Sequence, residues 1–424
     1  MSKLDELIQQ YCPDGVEFVP LWSVTIWDKK FNNVDKKKQP KVISYPYLLA
    51  KDMFALEQED GDVFLLSTGE QTGWTTEDIA GDFLCEGEVV SIPWGKSRKV
   101  SEVMKYYKGK FVTADNRIAT SSDTSTLSNK YLYYWTMSQG DLIDSFYRGS
   151  GLKHPSMKDV LDMKIPLPPL EVQSEIVRIL DNFTELTAEL TAELTARKKQ
   201  YEFYRDKLLT LGDVRLRRTS DVVWRTLGEI CNISAGGDSP KDSMSKQQTE
   251  KYSVPIISNG IGKNALYGYT DAPKVEEPAV TVAARGTIGY AEYRDYPFYP
   301  IIRLLTAIPK DTTVVNTKYL YYCLQGKQYS VPMGGIPQLT APELKKVEIP
   351  IPSLDVQNRL VDVLDNFDAI CSDLNIGLPA EIEARQKQYE FYRDALLTYA
   401  ATGKTILTDR QTDRQTDRQT DRQA

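Results

Sequence analysis

Few residues of this chain have the types and spacing that catalysis requires. His154 is the single histidine among 424 residues, which excludes a repeated histidine metal site and disfavours a proton relay. Gly95-Lys-Ser97 is similar to the end of a phosphate-binding loop, but Val90 stands where that loop needs glycine. No Gly-x-Ser-x-Gly elbow, Asn-Pro-Pro run or glycine-rich cofactor turn occurs. The sequence therefore predicts no catalysis, cofactor or metal in this chain.

Turns that carry amides and cations offer binding chemistry instead. Gly236-Gly-Asp-Ser-Pro-Lys241 can bring backbone amides and Lys241 close to phosphate. Asn259 and Lys263 supply donors on tight loops, and Arg285 and Thr287 lie among small residues where a guanidinium could reach guanine. The candidate contacts are Lys36, Lys37, Lys38, Lys96, Arg98, Lys99, Lys241, Asn259, Lys263, Arg285 and Thr287.

The charge distribution leaves two interpretations open. A net charge of −7 and a pI near 5.2 argue mildly against a DNA binder that acts alone. Lysines are nevertheless concentrated in residues 29–41 and 96–110, whereas residues 52–88 are acidic. One face could meet phosphate and another a basic partner, or the lysine runs could be solvated loops.

The chain repeats itself, and the repeat predicts its organisation. Lys130-Tyr-Leu-Tyr-Tyr134 returns as Lys318-Tyr-Leu-Tyr-Tyr322. Ile-Pro-rich segments at 164–173 and 347–357 also match, as do Gln200–Asp206 and Gln388–Asp394. The segments between these shared blocks differ almost completely. Such a chain presents one scaffold twice, with a different variable region in each copy.

Each shared block predicts a long helix. Apolar residues recur every three or four positions from Val172 to Leu208, without proline or glycine from 171 to 211, which gives a rod of roughly 60 Å. The second copy meets Gly377-Leu-Pro379, where we expect a break, with helix resuming near Glu381. Two such helices most simply pack against each other. A Thr-Ala-Glu-Leu repeat within 184–196 would add about 6 Å and 40° per unit, close to the rotation of one DNA base pair.

Two unlike variable regions, each followed by a near-identical long helix, resemble the specificity subunit of type I restriction–modification systems. The resemblance covers residues 14–399, and the Thr-Ala-Glu-Leu repeat narrows it to the branch with such repeats. The second half carries the family's Gly334-Gly-Ile-Pro-Gln-Leu-Thr340, whereas Gly149-Ser-Gly-Leu-Lys-His154 stands there in the first half. The family is non-catalytic and reads DNA, which favours DNA contact for the candidate residues.

The resemblance implies a mixed α/β fold with an internal pseudo-twofold repeat and two helices packed as an antiparallel coiled coil. Its expected parts are a target recognition domain at 1–170, a spacer helix at 171–211, a second recognition domain at 212–353 and a second helix at 354–400. Expected partners are double-stranded DNA, two modification subunits and restriction subunits, with no membrane. S-adenosylmethionine, ATP and Mg²⁺ would be held by the partners.

Two alternative functions are also compatible with the sequence. A self-contained methyltransferase or nuclease, or a coiled-coil adaptor with two protein-binding heads, are the alternatives. The five scattered cysteines and the absence of an apolar leader or span favour the cytoplasm.

Residues 401–424 contain four Thr-Asp-Arg-Gln units near their end and are expected to be disordered. Each unit could be encoded by repeats of one tetranucleotide, which predicts phase variation by slippage; a harmless tail is the alternative.

Overall fold

The computed structural model describes residues 3–95, 98–149, 153–209, 222–329, 337–372 and 377–402. The chain forms two compact units: unit 1 comprises residues 1–189 and 382–424, and unit 2 comprises residues 190–381. Each unit mixes helices and strands, as the predicted α/β class requires. This division into two units does not test the predicted boundaries of the recognition domains and spacer helices, which remain predictions.

Short strands and helices precede and follow one long central helix. Up to that helix they are α1 (Lys3–Tyr11), β1 (Phe18–Pro20), α2 (Leu21–Val24), β2 (Thr25–Trp27), β3 (Tyr47–Leu48), α3 (Ala50–Phe54), β4 (Val63–Leu66), β5 (Trp74–Thr75), α4 (Glu77–Ala80), β6 (Cys85–Ile92), α5 (Val100–Val103), β7 (Lys105–Ala114), β8 (Arg117–Ser121), α6 (Asn129–Ser138), α7 (Gly140–Ser145), β9 (Tyr147–Arg148), β10 (His154–Pro155), α8 (Met157–Asp162), β11 (Lys164–Pro166) and α9 (Leu170–Leu209). Beyond it they are β12 (Val223–Thr226), α10 (Leu227–Ile230), β13 (Cys231–Ala235), β14 (Met244–Ser245), β15 (Val254–Ile257), β16 (Leu266–Thr270), β17 (Ala279–Ala283), β18 (Ala291–Arg294), β19 (Tyr299–Pro300), β20 (Leu304–Pro309), α11 (Thr317–Leu324), α12 (Ala341–Lys345), β21 (Glu348–Ile351), α13 (Leu354–Ser372) and α14 (Leu378–Thr402).

The variable part of unit 1 is one mixed sheet. Its strand order is β2-β8-β6-β7-β4-β5, with β3 also beside β7. The β6–β7 pair is antiparallel, whereas β4 and β3 each run parallel to β7. Val112 and Ile118 are fully buried in this sheet, consistent with the preference of β-branched residues for strands.

The variable part of unit 2 is built differently, from two smaller sheets. One has the order β13-β20-β17-β18 and the other β14-β16-β15-β19. Every residue of β17 is buried, including the polar Thr281, which indicates that the strand is covered on both faces. An antiparallel strand pair outside the variable sheets joins the beginning and the end of each variable region, β1 with β11 in unit 1 and β12 with β21 in unit 2.

The long helix predicted from residue 171 is confirmed as α9, which starts directly after Pro169 and runs for 40 residues. Its predicted seam is buried near both ends. Val172 and Ile176 lie in the core of unit 1, and Tyr201 lies in the core of unit 2. The middle is more open, since Leu186 in the Thr-Ala-Glu-Leu segment is 36% exposed. The repeat therefore lies where the helix is least constrained by its neighbours.

The second long helical region consists of α13 and α14, as the expected break near Gly377 requires. Helix α14 starts at Leu378, three residues before the predicted point, because Pro379 fits the first turn, where its missing N–H costs no hydrogen bond. In unit 1 the Phe183 ring stacks on Tyr392 with centroids 5.4 Å apart, and in unit 2 Tyr204 stacks on Phe367 at 6.4 Å. The antiparallel coiled coil remains a prediction.

Candidate nucleic-acid interface

A buried glutamine anchors each variable region to its helix. In unit 1 the Gln173 Oε1 accepts from the Ser128 N–H at 2.9 Å, and its Nε2 donates to the carbonyls of Thr126 and Pro168. In unit 2 Gln357 makes the same three bonds, with the Asn316 N–H and the carbonyls of Val314 and Pro352. Neither glutamine is exposed to solvent. Both lie inside the repeated Ile-Pro-rich blocks, whose anchoring role was not predicted from the sequence.

A lysine, an aspartate and a tyrosine form a second repeated anchor. Asp181 accepts from the Lys130 Nζ at 2.7 Å and from the Tyr134 hydroxyl at 2.6 Å. Asp365 accepts from Lys318 at 2.7 Å and from the Tyr322 hydroxyl at 2.5 Å. Burial and the neighbouring carboxylate raise the pKa of both tyrosines above the ordinary range. Tyr131 and Tyr319 of the same repeated segments are fully buried, so these segments belong to the scaffold.

In unit 2 the structure brings three candidate contacts together. The Asn259 Nδ2 donates to the Arg285 carbonyl at 2.6 Å, and the Thr287 hydroxyl donates to the Asn259 carbonyl at 3.2 Å. The turn between them can form because Gly286 adopts φ 77°, a conformation that favours glycine. Within the described part of the chain, the Arg285 side chain has no hydrogen bond or ion pair. It is therefore available to a ligand.

The turn at residues 236–241 packs beside this cluster. The Gly236 N–H donates to the Leu304 carbonyl, and a Cβ at Gly236 would lie 2.6 Å from the Ile301 carbonyl oxygen. The backbone can approach its neighbour this closely only because residue 236 lacks a side chain. Lys241 and Lys263 are exposed, and neither pairs with a carboxylate in the described part of the chain. Sequence reasoning missed Arg303, which lies between these turns and is marked by no motif.

In unit 1 the first group of candidates lies on a single 3₁₀ turn, Lys36–Lys38. The Asp35 carboxylate caps this turn by accepting from the Lys37 N–H at 2.9 Å. Lys36 and Lys37 are exposed, whereas Lys38 forms an ion pair with Asp162. The turn thus presents two exposed lysines without an ion-pair partner among the described residues, Lys36 and Lys37, and one lysine whose charge is compensated, Lys38.

In the second group of unit 1, Arg98 is the candidate whose charge is compensated. Arg98 lies 3.1 Å from a Glu70 carboxylate oxygen, Lys99 directly precedes α5, and Lys96 lies outside the described residues. The register of β6 and β7 places Glu86 opposite Lys110 and Glu88 opposite Lys108. The expectation of separate acidic and basic faces is therefore wrong for the β6–β7 pair, because antiparallel pairing places glutamates opposite lysines there.

Lys105, which belongs to the same basic run, points inward. Its Nζ lies 3.2 Å from the Ser67 carbonyl oxygen and also contacts the Gly69 carbonyl. Burial lowers the pKa of this lysine to about 8. Lys105 therefore stabilises the loop that carries Glu70 and is not an open phosphate contact.

Each unit also has a groove beside the strand pair that joins the ends of its variable region. In unit 1 Phe18 faces Pro166, with Leu397 and Asp394 of α14, around a cavity of about 290 Å³. In unit 2 Trp224 faces Pro350, with Leu209 and Asp206 of α9, around a cavity of the same size. Phe18 and Trp224 are 46% and 54% exposed. The two grooves are built from repeated positions, although the variable sheets differ.

A sequence model described as the type I restriction modification DNA specificity domain matches the chain twice, at residues 35–197 and 219–384. The chain belongs to this family. The Mycoplasma pneumoniae protein S.MpnORF89P, described as a type I specificity subunit, is 33% identical over 75% of this chain and 96% of its own length. The Escherichia coli specificity subunit of the type I restriction enzyme EcoR124I/EcoR124II is 32% identical over 67% of this chain and 74% of its own length.

Solved structures show the same fold. The S subunit of the type I restriction–modification system from M. genitalium covers 91% of this chain and 96% of its own, with a TM-score of 0.52 and 17% identity. A chain from a structure on complex assembly of the type I R-M system covers 92% and 98%, with a TM-score of 0.56 and 18% identity. The resemblance drawn from the sequence is confirmed, and sequence-specific DNA recognition is the function of this specificity chain. Its membership of the branch with Thr-Ala-Glu-Leu repeats remains a prediction.

The single histidine and the cysteines of the specificity chain lie in structural positions. The His154 Nδ1 lies 3.0 Å from the Trp94 carbonyl oxygen, and the two rings are 4.1 Å apart. The cysteines carry no disulfide, and burial raises the pKa of the Cys85 thiol to about 11 and that of Cys231 to about 12. In the described ranges, no cluster of three His, Cys, Asp or Glu is arranged to hold a metal. None of the described helices is long and apolar enough to span a membrane.

Proposed function

We propose that this specificity chain reads a bipartite DNA target, one half with each variable region, and directs the methylation and cleavage that partner subunits perform. The observation that carries the proposal is that the family match occurs twice, on units with the same anchors and different sheets. The same anchors would hold two reading surfaces in equivalent ways, while the different sheets would read different bases. DNA contact by the eleven candidate residues is part of this proposal, with the smallest contribution from Lys38 and Arg98, which already pair with carboxylates.

The partners and the chemistry follow from the family. This chain would be non-catalytic, and modification subunits would bring S-adenosylmethionine, while restriction subunits would bring ATP and Mg²⁺. A cytoplasmic location belongs to the same proposal. The described candidates act as donors to phosphate and to base edges, which positions a partner's active site on DNA without bond-breaking by this chain. Purified chain is expected to bind no methyl donor, which equilibrium dialysis with labelled S-adenosylmethionine would check.

The experiment that tests the reading role is long-read methylation sequencing of cells that express this chain with its neighbouring modification subunit. We expect a split methylated motif that is absent when the modification subunit is expressed alone. Its two halves and the gap between them would supply the target. The absence of any new motif, with the same modification subunit active beside another specificity chain, would support the adaptor alternative.

The repeated grooves support a stoichiometry of two modification subunits, because equal surfaces can bind two copies of one partner. An apolar side chain of the partner would pack on Phe18 or Trp224, and a basic one would meet the aspartate at the edge. We expect Trp224→Asp or Phe18→Asp to remove one modification subunit each from the complex in native mass spectrometry, and the double variant to remove both. Full occupancy in the double variant would contradict the groove as the docking site.

A further inference from the structure

The segment Ile301–Arg303, between β19 and β20, contains an unusual backbone conformation. Arg303 has φ 66°, in the left-handed region that residues with a side chain adopt rarely. Together with Ser44, it has a positive φ without being glycine among the described residues. Such a conformation persists only when the surroundings impose it, and it occurs often at binding sites.

Three backbone hydrogen bonds impose this conformation. The Ile301 N–H donates to the Ile257 carbonyl at 2.9 Å, the Ile302 N–H donates to the Gly237 carbonyl at 2.8 Å, and the Arg303 carbonyl accepts from the Ala284 N–H at 2.9 Å. The last two bonds join the segment to the turns 236–241 and 284–289, and the first joins it to the end of β15, directly before the turn 258–263. All three turns carry candidate DNA contacts. Arg303 therefore lies at the point where these three turns meet.

The side chain of Arg303 is exposed, and its guanidinium has no partner in the described part of the chain. It forms no hydrogen bond, ion pair or ring contact there. It lines a groove of about 540 Å³ together with Gly236, Gly237 and Gln338. Arg294 of the same unit shows the contrasting structural use of arginine, because it is buried and bonded to Glu292, Thr281 and Tyr296.

We propose that Arg303 is a specificity-determining residue of unit 2, which reads a guanine through its O6 and N7 atoms. A guanidinium presents two parallel donors that match these acceptors in the major groove. The three hydrogen bonds fix the backbone from which the side chain projects, so less conformational freedom is lost on binding. The glycines at 236 and 237 leave room for DNA beside it. This inference rests on the proposed reading role of the chain.

The test compares Arg303→Gly and Arg303→Lys in the complex with the modification subunit, after sequencing has identified the target. Glycine adopts a positive φ without strain, so Arg303→Gly removes the side chain while the fold is kept, which an unchanged or higher melting temperature would verify. We expect its affinity for target DNA to fall on the order of 10- to 100-fold, with little change for DNA of scrambled sequence. One guanine in the half-site read by unit 2 should become degenerate in the methylated motif.

Arg303→Lys keeps the charge and loses the paired donors, so it should behave like the glycine variant towards target DNA while binding scrambled DNA as the wild type does. Arg359→Ala, which removes an exposed charge from α13 of the same unit, is the control and should leave the motif unchanged. Equal loss on target and scrambled DNA would make Arg303 a phosphate contact and overturn the inference, as would an unchanged motif in both variants. A wild-type complex without any motif would instead contradict the proposed function.

Discussion

The two units share a scaffold and differ in what the scaffold carries. The glutamine anchor and the lysine–aspartate–tyrosine anchor recur bond for bond, at Gln173 and Gln357 and around Asp181 and Asp365. The strands between them form one sheet in unit 1 and two sheets in unit 2. The glutamine anchor bonds to backbone, and the second anchor joins side chains of the repeated segments. Because neither anchor uses a side chain of the variable strands, those strands can change without loss of the attachment.

The cations of the two units are also used differently. In unit 1 Lys38 and Arg98 pair with Asp162 and Glu70. In unit 2 none of the candidate cations pairs with a carboxylate among the described residues. Equivalent scaffolds therefore do not imply equivalent pairing of charges, although each unit keeps three candidate cations without a carboxylate partner among the described residues: Lys36, Lys37 and Lys99 in unit 1, and Lys241, Lys263 and Arg285 in unit 2.

The largest effect is expected from a change in the length of α9, the helix that runs from unit 1 into unit 2. One added Thr-Ala-Glu-Leu unit within 184–196 should leave both half-sites unchanged and widen the gap by about one base pair, because it adds about 6 Å and 40° of helix. Methylation of the original motif should fall to background, as measured by long-read sequencing. Thr191→Ala, which keeps the helix length, should preserve the motif. An unchanged gap after insertion would contradict the role of the helix as a spacer.

The equivalence of the glutamine anchors predicts equal losses of stability. Gln173→Leu and Gln357→Leu each leave one N–H and two carbonyls without partners, so each should lower the free energy of unfolding by about 3 kcal/mol in urea denaturation. The exposed Gln200→Leu should change it by less than about 0.5 kcal/mol. A loss confined to one unit would show that the anchors are alike in geometry and unlike in energy.

The difference in charge pairing predicts different salt dependence. Lys241→Ala should lower the slope of log binding constant against log salt concentration by about 1, since an open cation that meets phosphate releases a counterion. Lys38→Ala should change the slope little, because Asp162 already compensates that charge. Titration of the complex with target DNA at several salt concentrations measures both slopes. Equal slopes for the two variants would remove the electrostatic distinction between the units.

The smallest expected effect is on the pH dependence of stability, and it comes from Glu175 in unit 1, whose equivalent in unit 2 is not a carboxylate. Glu175 accepts from Arg178 at 2.7 Å and pairs with Lys3 at 3.1 Å, and these contacts lower its pKa from 4.5 to about 2. Since the folded pKa lies below the unfolded one, the stabilisation is complete above pH 4.5 and is lost as the pH falls towards 2. Glu175→Gln should therefore melt below the wild type at neutral pH and match it near pH 2. Arg359 occupies the equivalent position in unit 2, and Arg359→Gln should show no such pH dependence.

The scaffold could be predicted from the sequence repeat, whereas the pairing of charges could not be predicted. Matching blocks and apolar spacing located α9, α13 and the buried tyrosines, because these depend on local periodicity. Lys38 and Asp162 are 124 positions apart, and only the tertiary fold brings them together. Arg303 escaped notice because its left-handed backbone arises from three distant turns, and arginine itself gives no local signal for it. Small neighbours marked Arg285 and Thr287 as candidates, but the contact of their loop with Asn259 was not predicted and required the structure.

The buried cysteines have a practical consequence. Burial raises the pKa of each of the five thiols, to about 12 for Cys323, so they hold little thiolate at neutral pH. A cysteine introduced at the exposed position of Lys263 would therefore react with a maleimide dye much faster than the native ones. The wild-type cysteines can stay in place, and a fluorophore at that turn would report in real time when unit 2 engages DNA.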